Sequence, residues 1–110
     1  MHAVIQNIKR AEPLMLKAQI DYEKGKVVSK TLAQRPRAGI TLLAFDESEG
    51  LSTHVADGDA MVYVIEGTAL ITIDEEAHHV TEGSALIIPV GHPHAVKAVT
   101  PFKMMLTVVR

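Results

Sequence analysis

Short apolar runs separated by polar turns dominate the chain from residue 26 onward, a pattern typical of β-strands. Gly, Pro and acidic residues interrupt the runs at short intervals, and no stretch has a helical period of useful length. This spacing predicts an all-β sandwich or barrel. The predicted strands are 26–32, 40–45, 61–65, 68–73, 77–80, 85–88, 94–99 and 102–109, with a loop at 33–39 and an acidic loop at 46–50.

The first 25 residues lack this alternation. Val4, Ile5 and Ile8 suggest a short extended piece, and Glu12-Pro13 favours the start of a helical turn, because the missing N–H of proline costs little there. We therefore expect an N-terminal segment, residues 1–25, that packs on the barrel domain, residues 26–110, or on a partner subunit.

Successive side chains of a strand point to opposite faces, so parity predicts which residues face the interior. In 94–99, Lys97 must face solvent, which turns His94, Val96 and Ala98 inward. In 102–109, parity places Lys103 and Thr107 outside. The inward set there is Phe102, Met104, Leu106 and Val108.

Strand 60–65 is apolar on both faces. Ala60, Val62 and Val64 share one face, and Met61, Tyr63 and Ile65 share the other. A strand covered on both faces in so small a domain implies a further packing layer, most simply a second copy of the chain. The sequence therefore predicts a homodimer.

Composition narrows the functional classes. The chain has 110 residues, a net charge of −2, 4% aromatic residues and no Cys or Trp. A slightly acidic surface does not favour nucleic acid, and the absence of Cys excludes disulfides, thiolate metal sites and cysteine nucleophiles. No apolar run approaches membrane-spanning length, and the N-terminus lacks the apolar core of a signal peptide, so we expect a cytoplasmic protein that binds no membrane.

Two histidine-bearing stretches, 54–67 and 83–94, carry the strongest motif. The order Gly83, Pro89, Gly91, His94 resembles the second motif of the cupin superfamily, and His54 with Gly67 resembles parts of the first. The resemblance covers about residues 26–109 and is greatest to small, single-domain cupins. It implies a jelly-roll β-barrel whose mouth holds both histidines.

The resemblance also implies a metal site with an incomplete ligand set. Metal-dependent cupins use three His and one Glu to hold Fe, Mn, Ni or Zn. Here Ala56 and Ala60 stand at the second His and the Glu, and Ala98 stands where the second motif usually has Asn. Ala side chains offer no donor atom, so only His54 and His94 of the four ligands remain.

Other polar residues could complete a metal site or have ordinary structural roles. His92 could join His54 and His94 as a third ligand if its loop curls inward, although a loop residue more often points to solvent. Asp57 and Asp59 fit a turn in which Asp caps its own backbone. His78 and His79 are adjacent, so they occupy opposite faces and cannot chelate together.

Three functional hypotheses follow. The first is a protein that binds a small organic ligand in a mostly apolar pocket and whose metal site is incomplete. The second is a metal-dependent oxygenase or isomerase that uses His54 and His94 with help from His92, an aspartate or the substrate. The third is a structural dimer module with a relic pocket. The predicted pocket lining is His54, Ala56, Ala60, Val62, His94, Val96, Met104 and Leu106.

Overall fold

The computed structural model describes residues 3–110, and these confirm the all-β prediction. A short 3-10 helix at Leu16–Ala18 precedes the strands. The strands of the described chain are β1 (Val27–Arg35), β2 (Ala38–Phe45), β3 (Gly50–His54), β4 (Asp59–Glu66), β5 (Thr68–Ile73), β6 (Glu76–Thr81), β7 (Ala85–Ile88), β8 (His94–Ala98) and β9 (Phe102–Val109). No helix in residues 3–110 is long and apolar enough to cross a membrane.

Two antiparallel sheets enclose one core. The larger sheet has the order β1-β2-β9-β4-β7, and the smaller has the order β3-β8-β5-β6. Inward side chains of both sheets meet in a single cluster, in which Val62 and Met104 of the larger sheet pack with Ile71 and Val96 of the smaller. Parity therefore predicted the inner face of β4, β8 and β9 correctly.

The structure departs most from the predicted strands at two places. The expected loop at 33–39 is a tight hairpin, because Arg35 pairs with Ala38 and only Pro36 and Arg37 remain in the turn. Strand β3 was not predicted at all. Its sequence contains one large apolar residue, Leu51, and most of the strand is exposed at the edge of the smaller sheet, so alternation was weak.

The N-terminal residues cover part of the outer face of the larger sheet. Ile20 is buried there against Leu42 and Ala44 of β2, with Ile8 and Tyr22 packed at the margin. Residues 1 and 2 of the predicted segment lie outside the described residues.

Lys103 shows the effect of this cover. It lies on the outer face, as parity predicted, but only 7% of it is exposed, because the N-terminal segment covers it. Its Nζ donates to the backbone oxygen of Lys17 at 2.6 Å and lies 4.8 Å from the centre of the Tyr22 ring. Its third neighbour is Glu66, whose carboxylate is 3.8 Å from Nζ.

One end of the barrel is closed by apolar packing. Phe45 and Phe102 pair directly across β2 and β9 and stack with ring centres 4.4 Å apart, and both are fully buried. Gly67 lies beside them in the turn between β4 and β5, at φ +81°, where a Cβ would be 2.2 Å from the backbone oxygen of Pro101. A side chain at position 67 would therefore push the β4–β5 turn away from the backbone of Pro101.

Candidate functional site

The histidine pair lies at the other end of the barrel. His54 ends β3 and His94 begins β8, and the two residues pair directly across these strands. Their ring centres are 4.2 Å apart, with the ring planes inclined by 60°. The register shifts between Leu51 and His54, which is a β-bulge that turns His54 toward its partner. Strand pairing therefore brings together two imidazoles that are forty residues apart in the chain.

Backbone hydrogen bonds define the tautomer of both rings. The Nδ1 of His54 lies 2.8 Å from the oxygen of Ser52, and the Nδ1 of His94 lies 3.1 Å from the oxygen of His92. A carbonyl oxygen only accepts, so Nδ1 must carry the proton in each ring. Each neutral ring then has its lone pair on Nε2, for which residues 3–110 provide no hydrogen-bond donor.

The Nε2 atom of His94 reaches the surface although the residue is only 5% exposed. In the described chain, no buried side-chain nitrogen or oxygen lacks a hydrogen-bond partner. Since this Nε2 has no partner, the small exposed part of His94 must include it. His54 differs from the prediction, because it is an exposed residue at the rim rather than an interior one. Its ring nevertheless packs beside the ring of His94, with the two centres 4.2 Å apart.

The remaining predicted pocket residues lie mostly in the packed core. Ala60, Val62, Val96 and Met104 are buried in the same cluster as the two phenylalanines, and Leu106 packs against that cluster. Ala56 lies in the loop after β3, where its backbone oxygen accepts from the N–H of Gly91. These side chains thus form packed barrel interior behind the histidine pair, and their role in a ligand pocket stays a prediction.

Free space next to the pair lies on the outer side of the smaller sheet. A cavity of about 500 Å³ is lined there by Thr53, Thr72, Asp74, Glu75, Pro93, His94 and Ala95. Thr72 pairs with Ala95, and both are on the face opposite to buried Ile71 and Val96. His94 is the one predicted site residue that also lines this cavity.

His92 does not join the other two histidines as a ligand. Its Nδ1 contacts the Oδ2 of Asp74, and both side chains are about half exposed, at 48% and 50%. Across residues 3–110, no group of three or more His, Asp or Glu side chains is placed to hold a metal ion. Two imidazoles without a third donor do not fit the three-His, one-Glu centre that Fe, Mn, Ni or Zn occupies in metal-dependent cupins.

Asp74 is a residue that sequence reasoning missed. It lies in the β5–β6 turn, where Asp74 and Glu75 both have positive φ, 49° and 71°. Its N–H donates to the oxygen of Pro93 at 3.1 Å, so the turn is bonded to the loop before β8 twice. Positive φ at two successive non-glycine residues is unusual. The sequence gives no sign of the contact between Asp74 and His92, because these residues lie eighteen positions apart in the chain.

The other candidates have structural roles. Asp59 accepts a hydrogen bond from the N–H of Val90 at 2.8 Å, and Asp57 pairs with Arg110 at 2.8 Å, so neither caps its own turn as predicted. The acidic loop lies at the closed end, where Asp46 accepts from the N–H of Gly25. Backbone N–H donors hold the pKa of Asp46 below its usual range. His78 and His79 take opposite faces of β6, as predicted.

The arrangement presents two hydrogen-bond acceptors side by side. Neutral imidazoles with bare Nε2 atoms can accept from a hydroxyl or amine, take up one proton, or coordinate an ion that brings its own additional ligands.

Solved structures of several bacterial proteins show the same fold. A conserved protein of unknown function from Streptococcus pyogenes is 40% identical, with a TM-score of 0.96 over 99% of this chain and 96% of that one. A cupin superfamily protein from Desulfitobacterium hafniense is 29% identical, with a TM-score of 0.93 over 97% and 98% of the two chains. Salicylate 1,2-dioxygenase from Pseudoaminobacter salicylatoxidans is 14% identical, with a TM-score of 0.71 over 84% of this chain and 27% of that one, and shows the fold alone.

Family membership follows from these matches together with the sequence. A search of curated proteins gave no match. The sequence model of the cupin domain matches residues 41–110, which is well over half of the chain and includes both histidines. The strand order, the paired histidines and the similarity to proteins of the same size agree with this match. The chain therefore belongs to the cupin family.

Proposed function

We propose that this protein binds a small organic ligand at the barrel mouth, with a hydroxyl or amine of the ligand donating to Nε2 of His54 and His94. The observation that carries the proposal is the common tautomer of the pair. Both Nδ1 protons are engaged by backbone oxygens, at 2.8 and 3.1 Å, which leaves two neighbouring acceptors without a protein donor. An acceptor without a partner is favourable only where water or a ligand can reach it.

The surroundings support a ligand of modest size and mixed polarity. The cavity beside His94 has a volume of about 500 Å³, within the range of about 300–1,000 Å³ that is usual for small-molecule sites. Its Thr53 and Thr72 hydroxyls provide further hydrogen-bonding groups, while Pro93 and Ala95 provide an apolar wall. A ligand that contacts both the histidine pair and this cavity would sit at the rim rather than in the filled interior.

The test is a ligand-observed NMR screen of small hydroxyl- and amine-bearing fragments, combined with native mass spectrometry and metal analysis of untagged protein. We expect fragments that bind wild-type protein and lose binding in His54→Ala and in His94→Ala, but not in His79→Ala, because His79 is an exposed histidine of β6 that does not line the cavity. If no fragment distinguishes these variants, the proposal is wrong. Stoichiometric metal that is lost with either site histidine would instead support the metal-dependent enzyme.

We also propose that the protein is a homodimer that associates through the uncovered half of the larger sheet. Met61, Ile87 and Val109 are 39%, 52% and 58% exposed on neighbouring strands β4, β7 and β9. Together with Thr107 they line one apolar surface, which the N-terminal segment leaves open. These four side chains are uncharged, and the carboxylate of Asp59, which also borders the surface, accepts a hydrogen bond from the N–H of Val90. Two copies of the apolar part can therefore meet around a two-fold axis.

Sedimentation of wild-type and substituted protein at micromolar concentration tests the dimer. Ile87→Lys is expected to give a monomer with unchanged unfolding temperature at high dilution, since the residue is exposed within one chain. Val99→Lys, at a similarly exposed apolar residue outside this surface, is the matched control and should remain dimeric. A wild-type protein that sediments as an 11.9 kDa monomer would contradict the proposal.

A further inference from the structure

The loop before His94 is fastened to the β5–β6 turn by two contacts. The imidazole of His92 contacts the carboxylate of Asp74, and the N–H of Asp74 donates to the oxygen of Pro93 at 3.1 Å. The first of these contacts joins two side chains, and the second joins two backbones. We call the His92–Asp74 contact the clasp.

His92 connects the clasp to His94, because its ring and its backbone oxygen make separate contacts. Its ring contacts Asp74, and its backbone oxygen accepts the Nδ1 proton of His94 at 3.1 Å. A free imidazole favours its proton on Nε2, so the bare Nε2 of His94 depends on the position of that one oxygen. Fixing the ring of His92 also fixes the residue that carries the oxygen.

The turn that carries Asp74 is itself an uncommon one. Positive φ at both Asp74 and Glu75 defines a tight two-residue connection that normally contains Asn, Asp or Gly. Aspartate tolerates this conformation and glutamate does so less readily. The strained backbone positions Asp74 against both the side chain of His92 and the backbone of Pro93, which adjoin the site.

We propose that Asp74 and His92 are positioning residues for the ligand site, and that their contact holds His94 in the tautomer with a bare Nε2. This inference rests on the proposed function for its purpose, since a bare Nε2 is what the ligand would bind. It resembles the outer-shell partners that orient metal-binding histidines in other proteins, where loss of the partner typically lowers metal affinity or activity about 10- to 100-fold. Here the partner acts through a backbone carbonyl instead of touching the ring of His94.

The tautomer of His94 can be measured without any ligand. Long-range ¹H–¹⁵N correlation spectra of ¹⁵N-labelled protein distinguish a protonated nitrogen of a histidine ring from a bare one. We expect wild-type His94 to have its proton on Nδ1. In Asp74→Asn and in His92→Gln, we expect the fraction of His94 in this tautomer to fall about two-fold or more, since the oxygen of residue 92 is no longer held in place.

Two comparisons keep the test specific to the clasp. Glu76→Gln removes an exposed carboxylate next to the same turn that does not line the cavity, and should leave the tautomer of His94 unchanged. The double variant Asp74→Asn with His92→Gln should have the same effect as either single change, because both remove one interaction. A His94 tautomer that stays on Nδ1 in all three clasp variants would overturn the proposal.

The experiments distinguish failure of the clasp proposal from failure of the ligand proposal. If the tautomer shifts but no fragment binds wild-type protein, the clasp positions His94 and the proposed function fails. If fragments bind wild-type and clasp variants with equal affinity, and His94 keeps its tautomer, the proposed function stands and the clasp fails.

Discussion

Each end of the barrel has a pair of aromatic rings that face each other across neighbouring strands, but one pair is apolar and the other is polar. At the closed end, Phe45 and Phe102 pair across β2 and β9 with ring centres 4.4 Å apart. At the mouth, His54 and His94 pair across β3 and β8 with ring centres 4.2 Å apart. The phenylalanines are fully buried and complete the core, whereas the histidines place unpartnered nitrogens at the surface.

This difference indicates that the aromatic packing that stabilises the barrel and the proposed binding site lie at separate ends. The phenylalanine pair is stacked within 9° of parallel and has only apolar neighbours in the core cluster. The histidine pair is inclined, half open to water and held by loops with positive φ at Asp74, Glu75 and Gly91. Substitutions at the closed end should therefore affect unfolding, and those at the mouth should affect binding.

The largest expected effect is loss of a ring at the closed end. Phe102→Ala should lower the free energy of unfolding by about 4 kcal/mol, because it leaves a cavity against Phe45. His54→Ala at the mouth should cost only about 0.5 kcal/mol, because the residue is exposed. Urea denaturation of both variants measures the difference. Equal losses at the two ends would contradict the separation of roles.

A second effect concerns the polar cluster beside the closed end. Lys103→Met should cost about 2 kcal/mol, because the oxygen of Lys17 and the carboxylate of Glu66 lose a charged neighbour. Lys97→Met is the matched control on the exposed outer face of β8 and should change the stability little. Urea denaturation again provides the measurement, and a neutral Lys103→Met would show that the cluster does not hold the N-terminal segment.

The tyrosine of the same cluster predicts a pH dependence. Burial, and then the hydrogen bond of its hydroxyl to Glu66, raise the pKa of Tyr22 above its ordinary value of 10. The folded state thus favours the protonated hydroxyl, so this contribution is complete below pH 10 and is lost as the pH rises above it. Tyr22→Phe should cost about 1 kcal/mol at pH 7 and remove part of the alkaline loss. Thermal unfolding between pH 8 and pH 11 tests this, and identical alkaline profiles for the two proteins would contradict it.

The smallest expected effect is a gain in stability from a substitution in the β5–β6 turn, near the mouth. Glu75→Gly should stabilise the protein by about 0.5 kcal/mol, since glycine adopts φ 71° without strain. Glu47→Gly, in a loop where φ is not positive, should be neutral or slightly destabilising. Thermal unfolding of both variants decides, and a destabilising Glu75→Gly would mean that the side chain of Glu75 has a role in the turn.

The sequence predicted the regular part of this fold well, for a local reason. Strands β5, β7 and β9 begin and end where alternation and turn residues indicated, and β8 is one residue shorter than predicted. Each of these strands has an apolar face and a clear polar stop. Strand β3 has neither, because it lies at a sheet edge with one large apolar side chain, and it was missed.

The candidate site was predicted only in part. The positions of His54 and His94 followed from the family motif, and their pairing followed from the barrel. The tautomers and the contact of His92 with Asp74 did not follow, because they depend on where loops meet that are distant in the chain. The burial of Lys103 depends in the same way on a segment 86 residues away.

The most direct test of the account is the ¹⁵N spectrum of the histidine rings in wild-type protein, recorded before and after addition of a fragment that binds. We predict that His54 and His94 both have protonated Nδ1 and bare Nε2 in the free protein, and that both Nε2 signals move when the fragment binds. A proton on Nε2 of either ring in the free protein, or Nε2 signals that do not respond to the fragment, would contradict the account.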